Sequence, residues 1–263
     1  MKKVRLALSG SGFLAPIHAG AICAFQDAGV EIVEVAGTSG GSIAAALLGA
    51  GLSGAQIRAL AFEPLPSGIM SWQVTALFSQ GYNSGNVLHD WLHRQIGPIS
   101  FRDAKVPVTI IATSIDMTAV FEMSKELSPF VMLGDACRAS CSVPFIYSPF
   151  DIQGAKLVDG GVWCNIPVDF LTEDDIPRVG IEVSDGATAA TTNNIIDFAK
   201  QCINTLLTSN EANLTKWAKE TGTDVLLVNS KPHGFLDPKL SAEAKLELFN
   251  RGYNTVQAYL KGH

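Results

Sequence analysis

The chain has 263 residues, of which 47% are hydrophobic and 17% are charged, and this length is sufficient for one large domain with a substantial core. The formal net charge of −6 argues against nucleic-acid binding, because neutralising phosphates requires clustered Lys and Arg. The same charge argues against docking on anionic membranes by electrostatics alone. We therefore expect any membrane contact to be peripheral and to be made by apolar side chains.

The five cysteines are odd in number and scattered, which favours reduced thiols over a disulfide framework. No His, Asp or Cys spacing near them completes a metal site, so we predict neither a metal nor a cofactor. Near the N-terminus, an uncharged stretch from 6 to 25 is interrupted by residues 9–12, Pro16 and His18. A secretory or transmembrane segment is a more continuous apolar run, and we expect a cytoplasmic protein.

The first half of the chain alternates short apolar strands with helices. Strands are predicted at residues 4–9 and 32–36, and helices at residues 16–29 and 40–50. Residues 52–97 are predicted to be mainly helical, with breaks at residues 64–67 and 81–85.

The second half begins with a long β-branched strand at residues 106–115 and ends with a helix at residues 241–260. Between them we predict a strand at 120–123, a short helix at 134–140, an apolar loop at 143–150, a hairpin at 152–158 turning at Gly154, strands at 179–183 and 225–228, and a helix at 194–219. This alternation predicts an α/β fold, with a mostly parallel central sheet in a three-layer α/β/α arrangement. No repeat or charged linker divides the chain, so we expect a single domain over residues 1–263.

The most informative motif is G-x-S-x-G at residues 37–41, which follows a predicted strand and precedes a predicted helix. A sharp strand-to-helix turn exposes the Ser39 hydroxyl, and glycines tolerate the backbone crowding on either side. The next helix also presents free N–H groups to a developing oxyanion. Without this context, Ser39 would be equally consistent with a helix-capping residue.

A second glycine-rich turn, formed by Gly10, Ser11 and Gly12, directly follows the first strand. Such a turn can aim successive backbone N–H groups at one anion. The same stretch also satisfies the dinucleotide fingerprint G-x-G-x-x-G/A, with Glu34 near the position of a ribose-binding acid. A dinucleotide-binding strand should end at that acid, whereas the predicted strand continues past Glu34, so we disfavour nucleotide binding.

Asp159 precedes two glycines at the end of a predicted strand, where a carboxylate is accessible to a nucleophile, although a lone D-G-G is more often a polar turn. A histidine base is the usual partner of a catalytic serine. In an α/β-hydrolase order, His233 is the only internal candidate after Asp159. Such a fold places several strands before its nucleophile, however, and only two precede Ser39. The pattern therefore favours a Ser39–Asp159 dyad without histidine.

These blocks resemble the patatin-like phospholipase family over essentially the whole chain. The glycine-rich loop, G-T-S-G-G-S at residues 37–42 and D-G-G at residues 159–161 occur in the family's order, and R-A-S-C-S-V-P-F at residues 138–145 resembles the family's segment before the aspartate. The resemblance implies a Ser39 nucleophile, an Asp159 base and an oxyanion loop at Gly10, Ser11 and Gly12. It implies hydrolysis of lipid or small carboxyl esters.

One block departs from the family pattern G-G-G-x-(Arg/Lys)-G, because Ser11, Leu14 and Ala15 replace a glycine, the basic residue and the last glycine. The loss of the cation at Leu14 weakens the expectation of an anionic headgroup. At Ser11, the sequence favours a strained turn over a hydroxyl that donates to the oxyanion.

The expected activity is hydrolysis through an acyl-enzyme, with the apolar segments 69–78 and 143–150 as candidate linings of an acyl channel. Because the glycine-rich loop is altered, a catalytically silent lipid-binding protein or effector is an alternative prediction. Within the enzymatic interpretation, transfer of the acyl group to an alcohol is a further alternative to hydrolysis.

Overall fold

The computed structural model describes residues 1–69, 81–184, 205 and 222–262. Its strands, in chain order, are β1 (Lys3–Leu8), β2 (Glu31–Thr38), β3 (Gly81–Asn83), β4 (Val108–Ser114), β5 (Ala119–Met123), β6 (Phe145–Tyr147), β7 (Phe150–Ile152), β8 (Ala155–Asp159), β9 (Arg178–Ser184) and β10 (Asp224–Asn229). Its helices are α1 (Ala15–Asp27), α2 (Gly40–Gly49), α3 (Gly54–Phe62), α4 (Asn86–Ile96), α5 (Leu133–Ser140) and α6 (Ala242–Leu260).

Eight of the described strands form one sheet in the order β10-β9-β1-β2-β4-β8-β7, with β5 paired to β4 outside this path. The pairs from β10 to β4 are parallel, whereas β5 and β8 run antiparallel to β4, and β7 runs antiparallel to β8. The predicted α/β fold with a mostly parallel central sheet is confirmed. Parallel strands are joined by long crossovers that usually contain a helix. Helix α1 connects β1 to β2, and α2 begins the connection from β2 to β4.

Apolar residues are buried on both faces of the central strands β1 and β2, as is usual for parallel strands that are covered on two sides. Leu6 and Leu8 of β1 enter the large core that the helices share. Ala7, between them, points to the other face, where it packs with Ala36 and Ile166. The helix predicted at residues 194–219 lies outside the described residues except at Thr205, which is helical.

The last helix, α6, packs closely on α1, at the other end of the chain. A side chain at Gly20 would collide with the backbone of Phe249, and one at Gly252 would collide with the backbone of Ile17. The two helices therefore need glycine where their backbones meet, and this contact ties the C-terminal part to the first crossover.

One predicted loop is wrong. Residues 143–150 contain β6, which pairs in parallel with β3 in a separate two-stranded sheet. The pairing joins segments more than 60 residues apart, so neither segment shows it alone. The predicted hairpin is confirmed, since β7 and β8 turn at Gln153 and Gly154, which have φ values of 53° and 79°, the positive values of a tight hairpin turn.

Within the described part of the chain, no helix combines the length and the apolar character needed to cross a membrane.

Candidate active site

Ser39 lies on the sharp turn between β2 and α2, with φ 50° and ψ −125°. A positive φ is unusual for a residue with a side chain, and such strain costs roughly 1–3 kcal/mol. The next residue must be glycine, because a Cβ at Gly40 would lie 2.5 Å from Ser11 Oγ and 2.7 Å from Gly12 O. The predicted turn is therefore present, and it packs directly on the glycine-rich loop.

Hydrogen bonds from both directions hold this strained turn. The Ser39 N–H donates to Ser140 Oγ at 2.8 Å, and Ser140 Oγ in turn donates to Ile111 O on β4 at 2.5 Å. The Ser42 hydroxyl donates to Ser39 O at 2.6 Å. The backbone on either side of Ser39 is thus fixed to α5 and to the first turn of α2.

The structure brings Ser39 and Asp159 together, although 120 positions separate them in the sequence. Ser39 Oγ donates to Asp159 Oδ2 at 2.7 Å, and the Gly161 N–H donates to Asp159 Oδ1 at 2.8 Å. Ser39 is 6% exposed and Asp159 is 2% exposed. The hydroxyl is therefore aligned with a buried carboxylate that can accept its proton.

Burial raises the pKa of Asp159 to about 6, while the hydrogen bonds from Ser39 and Gly161 act in the opposite direction. Desolvation disfavours the charged form of a carboxyl group, and hydrogen bonds to the carboxylate favour it. The carboxylate is still ionised at neutral pH, and it is a stronger base than an ordinary aspartate.

The histidines of the described residues have other partners. His233 Nε2 lies 3.4 Å from Glu247 Oε2, and His89 and His93 both contact Asp135. His18 is fully buried, and its Nε2 bonds Ser9 O at 2.9 Å. The alternative triad through His233 thus finds no hydrogen bond to Ser39 or Asp159 in the structure.

His18 supports the glycine-rich loop from below. Burial lowers the pKa of His18 to about 4, so its ring is neutral at physiological pH, and an Nε2–H can donate a hydrogen bond to Ser9 O. Sequence reasoning placed His18 only in a helix, because a contact with a loop nine residues earlier leaves no pattern.

The glycine-rich loop differs from the sequence-based expectations in the role of Gly10 and in the conformation of Ser11. The Gly10 N–H donates to Asn165 O at 3.0 Å, so it is already used and is not free for an oxyanion. The positive φ in this loop belongs to Gly12, at 53°, and not to Ser11. Strain at Ser11 is therefore the wrong interpretation of this departure.

Two buried polar atoms at this loop have no hydrogen-bond partner among the described residues, namely Ser11 Oγ and Asn165 Oδ1. Both lie beside the turn, since Asn165 Oδ1 is 2.5 Å from the position of a Cβ on Gly10. Buried polar groups normally have partners. Unpaired ones at this position are suited to bind a polar group of a ligand.

The segment at residues 138–145 positions both members of the pair. Ser140 accepts from the Ser39 N–H, as described above, and Ser142 O accepts from the Asp159 N–H at 2.9 Å. Arg138 is 1% exposed, and its guanidinium donates to Ser142 Oγ at 2.5 Å and to Ser84 O at 2.8 Å. The motif was recognised in the sequence, but these roles were not, because they depend on contacts between distant segments.

An apolar cavity of about 110 Å³ begins at Ser39. Its lining includes Ile43, Leu47, Leu60, Leu65, Leu88 and Trp91. Of the two segments expected to line a channel, Ile69 and Tyr147 contribute to it, and residues 70–80 lie outside the described residues. The apolar lining has the polarity of a site for a hydrocarbon chain.

The dinucleotide alternative fails at Glu34. This residue lies within β2, not at its end, and its carboxylate is already bound by Arg5 and by the Thr172 N–H. The acid that would hold a ribose is therefore occupied.

A family model described as "Patatin-like phospholipase" matches residues 6–172, more than half of the chain. The chain belongs to the patatin-like phospholipase family. Membership supports a lipid hydrolase activity in general terms.

Sequence relatives of this patatin-like chain include the protein YqhO of Bacillus subtilis (strain 168), with 29% identity over 203 residues, 67% of this chain and 69% of that protein. The NTE family protein Mb1092c of Mycobacterium bovis is 26% identical over 171 residues, which cover 63% of this chain and 44% of that protein. This chain therefore spans less than half the length of the mycobacterial relative.

Among solved structures, VipD from Legionella pneumophila aligns with a TM-score of 0.68 and 13% identity, covering 100% of this chain and 67% of that chain. At this identity the likeness shows the fold alone.

The strain at Ser39 gives a prediction about stability. Ser39→Gly should have a higher free energy of unfolding than Ser39→Ala, by roughly 1–2 kcal/mol, because only glycine adopts a positive φ without cost. Both variants lack the hydroxyl, so each is the control for the other. Urea unfolding of the two proteins measures the difference, and equal stabilities would contradict the strained turn.

Proposed function

We propose that this chain is a serine acyl hydrolase that cleaves carboxyl esters of lipids, with Ser39 as the nucleophile and Asp159 as the general base. The observation that carries this proposal is the 2.7 Å hydrogen bond from Ser39 Oγ to Asp159 Oδ2 at the end of an apolar cavity. A positioned acceptor activates a hydroxyl nucleophile, and the cavity suits the acyl chain of the ester.

In the proposed reaction, Asp159 takes the Ser39 proton as Oγ attacks the ester carbonyl and forms a tetrahedral oxyanion. When this intermediate collapses, the C–O bond to the leaving alcohol breaks and Asp159 gives its proton to that alcohol. Asp159 then takes a proton from water as the water attacks the acyl-enzyme. When the second tetrahedral intermediate collapses, the bond from the acyl carbon to Ser39 Oγ breaks, Asp159 returns the proton to Oγ, and the carboxylic acid is released. The carboxylate thus acts as base and acid in turn.

The oxyanion would lie between the glycine-rich loop and the N-terminus of α2. Because the Gly10 N–H donates to Asn165 O, the loop donors proposed for the oxyanion are the N–H groups of Ser11 and Gly12. The Gly12 nitrogen lies 3.0 Å from the position of a Cβ on Gly40, so the two elements approach the same point. Donors aimed at a developing charge are usually the largest single contribution to such catalysis.

We also propose that residues 1–263 act as one acyl hydrolase domain. The family match ends at residue 172, but β9 beyond it pairs with β1, and α6 packs on α1. Asp237 and Lys245 from this later part also line the cavity. A protein cut after residue 172 would lack one wall of the proposed acyl site.

Ser39→Ala is expected to abolish ester hydrolysis and labelling by a fluorophosphonate, because the nucleophile is gone. His233→Ala is the matched control and should keep most activity, since His233 contacts Glu247 instead. Turnover of a short-chain nitrophenyl ester, with lipid extracts analysed in parallel, measures the effect. A wild-type chain that binds lipid without turnover would instead support the silent alternative, and labelling of another serine would refute the assignment.

The raised pKa of Asp159 predicts opposite effects on activity and stability. The ionised, buried carboxylate lowers stability, and this loss grows as the pH rises from about 4, the unfolded pKa, to about 6, the folded pKa. Asp159→Asn should therefore be inactive, yet more stable than the wild type by up to about 3 kcal/mol at pH 7.5.

The stability difference should disappear near pH 4, and kcat/KM of the wild type should fall below a pH of about 6. Urea unfolding at the two pH values and a pH–rate profile measure these effects. A destabilised Asp159→Asn variant at pH 7.5 would show that the burial cost is offset elsewhere.

Ser11→Ala should lower kcat, because the buried hydroxyl is proposed as an additional oxyanion donor. Loss of one such donor costs up to about 10²–10³-fold. Ser11→Gly should show the same loss, and a gain in kcat would restore the strained-turn interpretation. Steady-state kinetics on a neutral ester distinguish the outcomes, with Ser11→Thr retaining the hydroxyl as the control.

A further inference from the structure

A second polar cluster lies between α4 and α5, apart from the Ser39 site. His89 Nε2 and His93 Nε2 lie 2.7 Å and 2.8 Å from the same atom, Asp135 Oδ1. The three candidate ligand atoms are all within 4.8 Å of one another. We propose that His89, His93 and Asp135 form a binding site for a divalent transition-metal ion, with Zn²⁺ as the preferred ion.

The ligand chemistry fits this class of ion. His89 and His93 are four positions apart on one helix, so their rings project from the same face. Two imidazole nitrogens and one carboxylate oxygen are ligands that zinc takes in sites with three protein ligands and one open position. Magnesium and calcium prefer all-oxygen ligands, so they should bind weakly.

The distances are close to those of a loaded site. In tetrahedral zinc sites with bonds of ~2.0–2.2 Å, ligand atoms are ~3.3–3.5 Å apart. Each histidine nitrogen therefore needs to move away from the Asp135 oxygen by ~0.5–0.8 Å. They are about one-third exposed, with side-chain exposures of 31%, 32% and 33%. A metal ion and a bound water therefore have access from solvent.

Neighbouring residues hold the two rings in place. A side chain at Gly134 would lie 3.1 Å from the His93 ring, so the absence of a side chain there makes room for this imidazole. The Phe150 ring lies 5.5 Å from the His89 ring. His89 Nδ1 is 4.0 Å from Asp90 Oδ1, which places a carboxylate on the side where a metal-bound histidine carries its remaining proton.

A hydrogen-bonded cluster without metal is the competing explanation. In that case each histidine donates its Nε2–H to Asp135. Within the described part of the chain, Asp135 forms ion pairs with these two histidines and with no Lys or Arg, so no fixed cation competes for the carboxylate. The metal-free hydrogen bonds thus hold the three ligands near each other before an ion binds.

The position of the cluster gives binding a structural consequence. Leu88 and Trp91 on α4 line the apolar cavity, while Ser140 on α5 holds the Ser39 N–H. An ion bound by both helices would fix the cavity wall relative to the strained turn. Binding to the folded state alone should raise the midpoint of thermal unfolding.

The test uses the full chain without a histidine tag, freed of metal by a chelator. Titration with Co²⁺ should give the visible absorption of a low-coordinate site, and Zn²⁺ should displace it with one equivalent. Zn²⁺ should also raise Tm, while Mg²⁺ at the same concentration should not. His93→Ala should weaken Zn²⁺ affinity by more than the ~10–100-fold that loss of an outer-shell partner causes.

Asp135→Asn keeps an oxygen that accepts from both histidines, so it separates the two explanations. A metal site predicts that zinc raises the Tm of the wild type but not that of Asp135→Asn, whereas a metal-free cluster predicts that zinc changes the Tm of neither protein. His233→Ala, which removes a histidine paired with Glu247, should bind zinc like the wild type. The proposal is overturned if the wild type shows no stoichiometric binding, or if His93→Ala and Asp135→Asn keep the wild-type affinity.

Discussion

Strand β4 sets the distance between the two members of the proposed dyad. Thr38, just before Ser39, pairs with Ile111 on β4, and Asp159 pairs with Ala112 on the same strand. Ile111 and Ala112 are neighbours on β4, so the end of the parallel strand β2 and the end of the antiparallel strand β8 lie close together. The hydrogen bond from Ser39 to Asp159 depends on this register, because a slip by one residue would turn Asp159 to the other face of the sheet. Ile111 O on β4 also accepts a hydrogen bond from the Ser140 hydroxyl, and that hydroxyl accepts one from the Ser39 N–H.

The same arrangement costs stability at two positions. Ser39 has an unfavourable positive φ, and Asp159 is an ionised carboxylate buried without a cationic partner among its described contacts. Neither the strained backbone nor the buried charge would persist on a mobile loop, because the surrounding contacts must contribute more free energy than each of them costs. The segment ending α5 supplies this support through Ser140 and Ser142. The proposed reaction therefore relies on rigid elements of the sheet and of α5.

The parts predicted correctly from the sequence are those with local patterns. The strand-to-helix turn at Ser39, the position of Asp159 at the end of a strand and the mostly parallel sheet follow from glycine spacing and apolar runs within short windows. The parts that were missed depend on contacts between distant segments. The bond from Gly10 to Asn165, the β3–β6 pairing and the approach of Asp135 to His89 join residues that share no periodicity. The prediction of strain at Ser11 is wrong, because the residue with the positive φ in this loop is Gly12. Which residue of the loop takes this conformation depends on the folded turn.

The substitution at Leu14 is also explained by packing. Leu14 is fully buried at the start of α1, so a basic residue at this position would place a charge in the core, which is costly without a partner. The cation among the cavity residues of the described chain is Lys245, and its Nζ donates to the carbonyl oxygens of Phe62 and Glu63 at 3.1 Å and 2.7 Å. These carbonyl groups lie at the C-terminal end of α3, so the Lys245 ammonium already has two hydrogen-bond acceptors. If the chain catalyses the proposed reaction, we therefore expect neutral esters to fit this cavity as well as phospholipids.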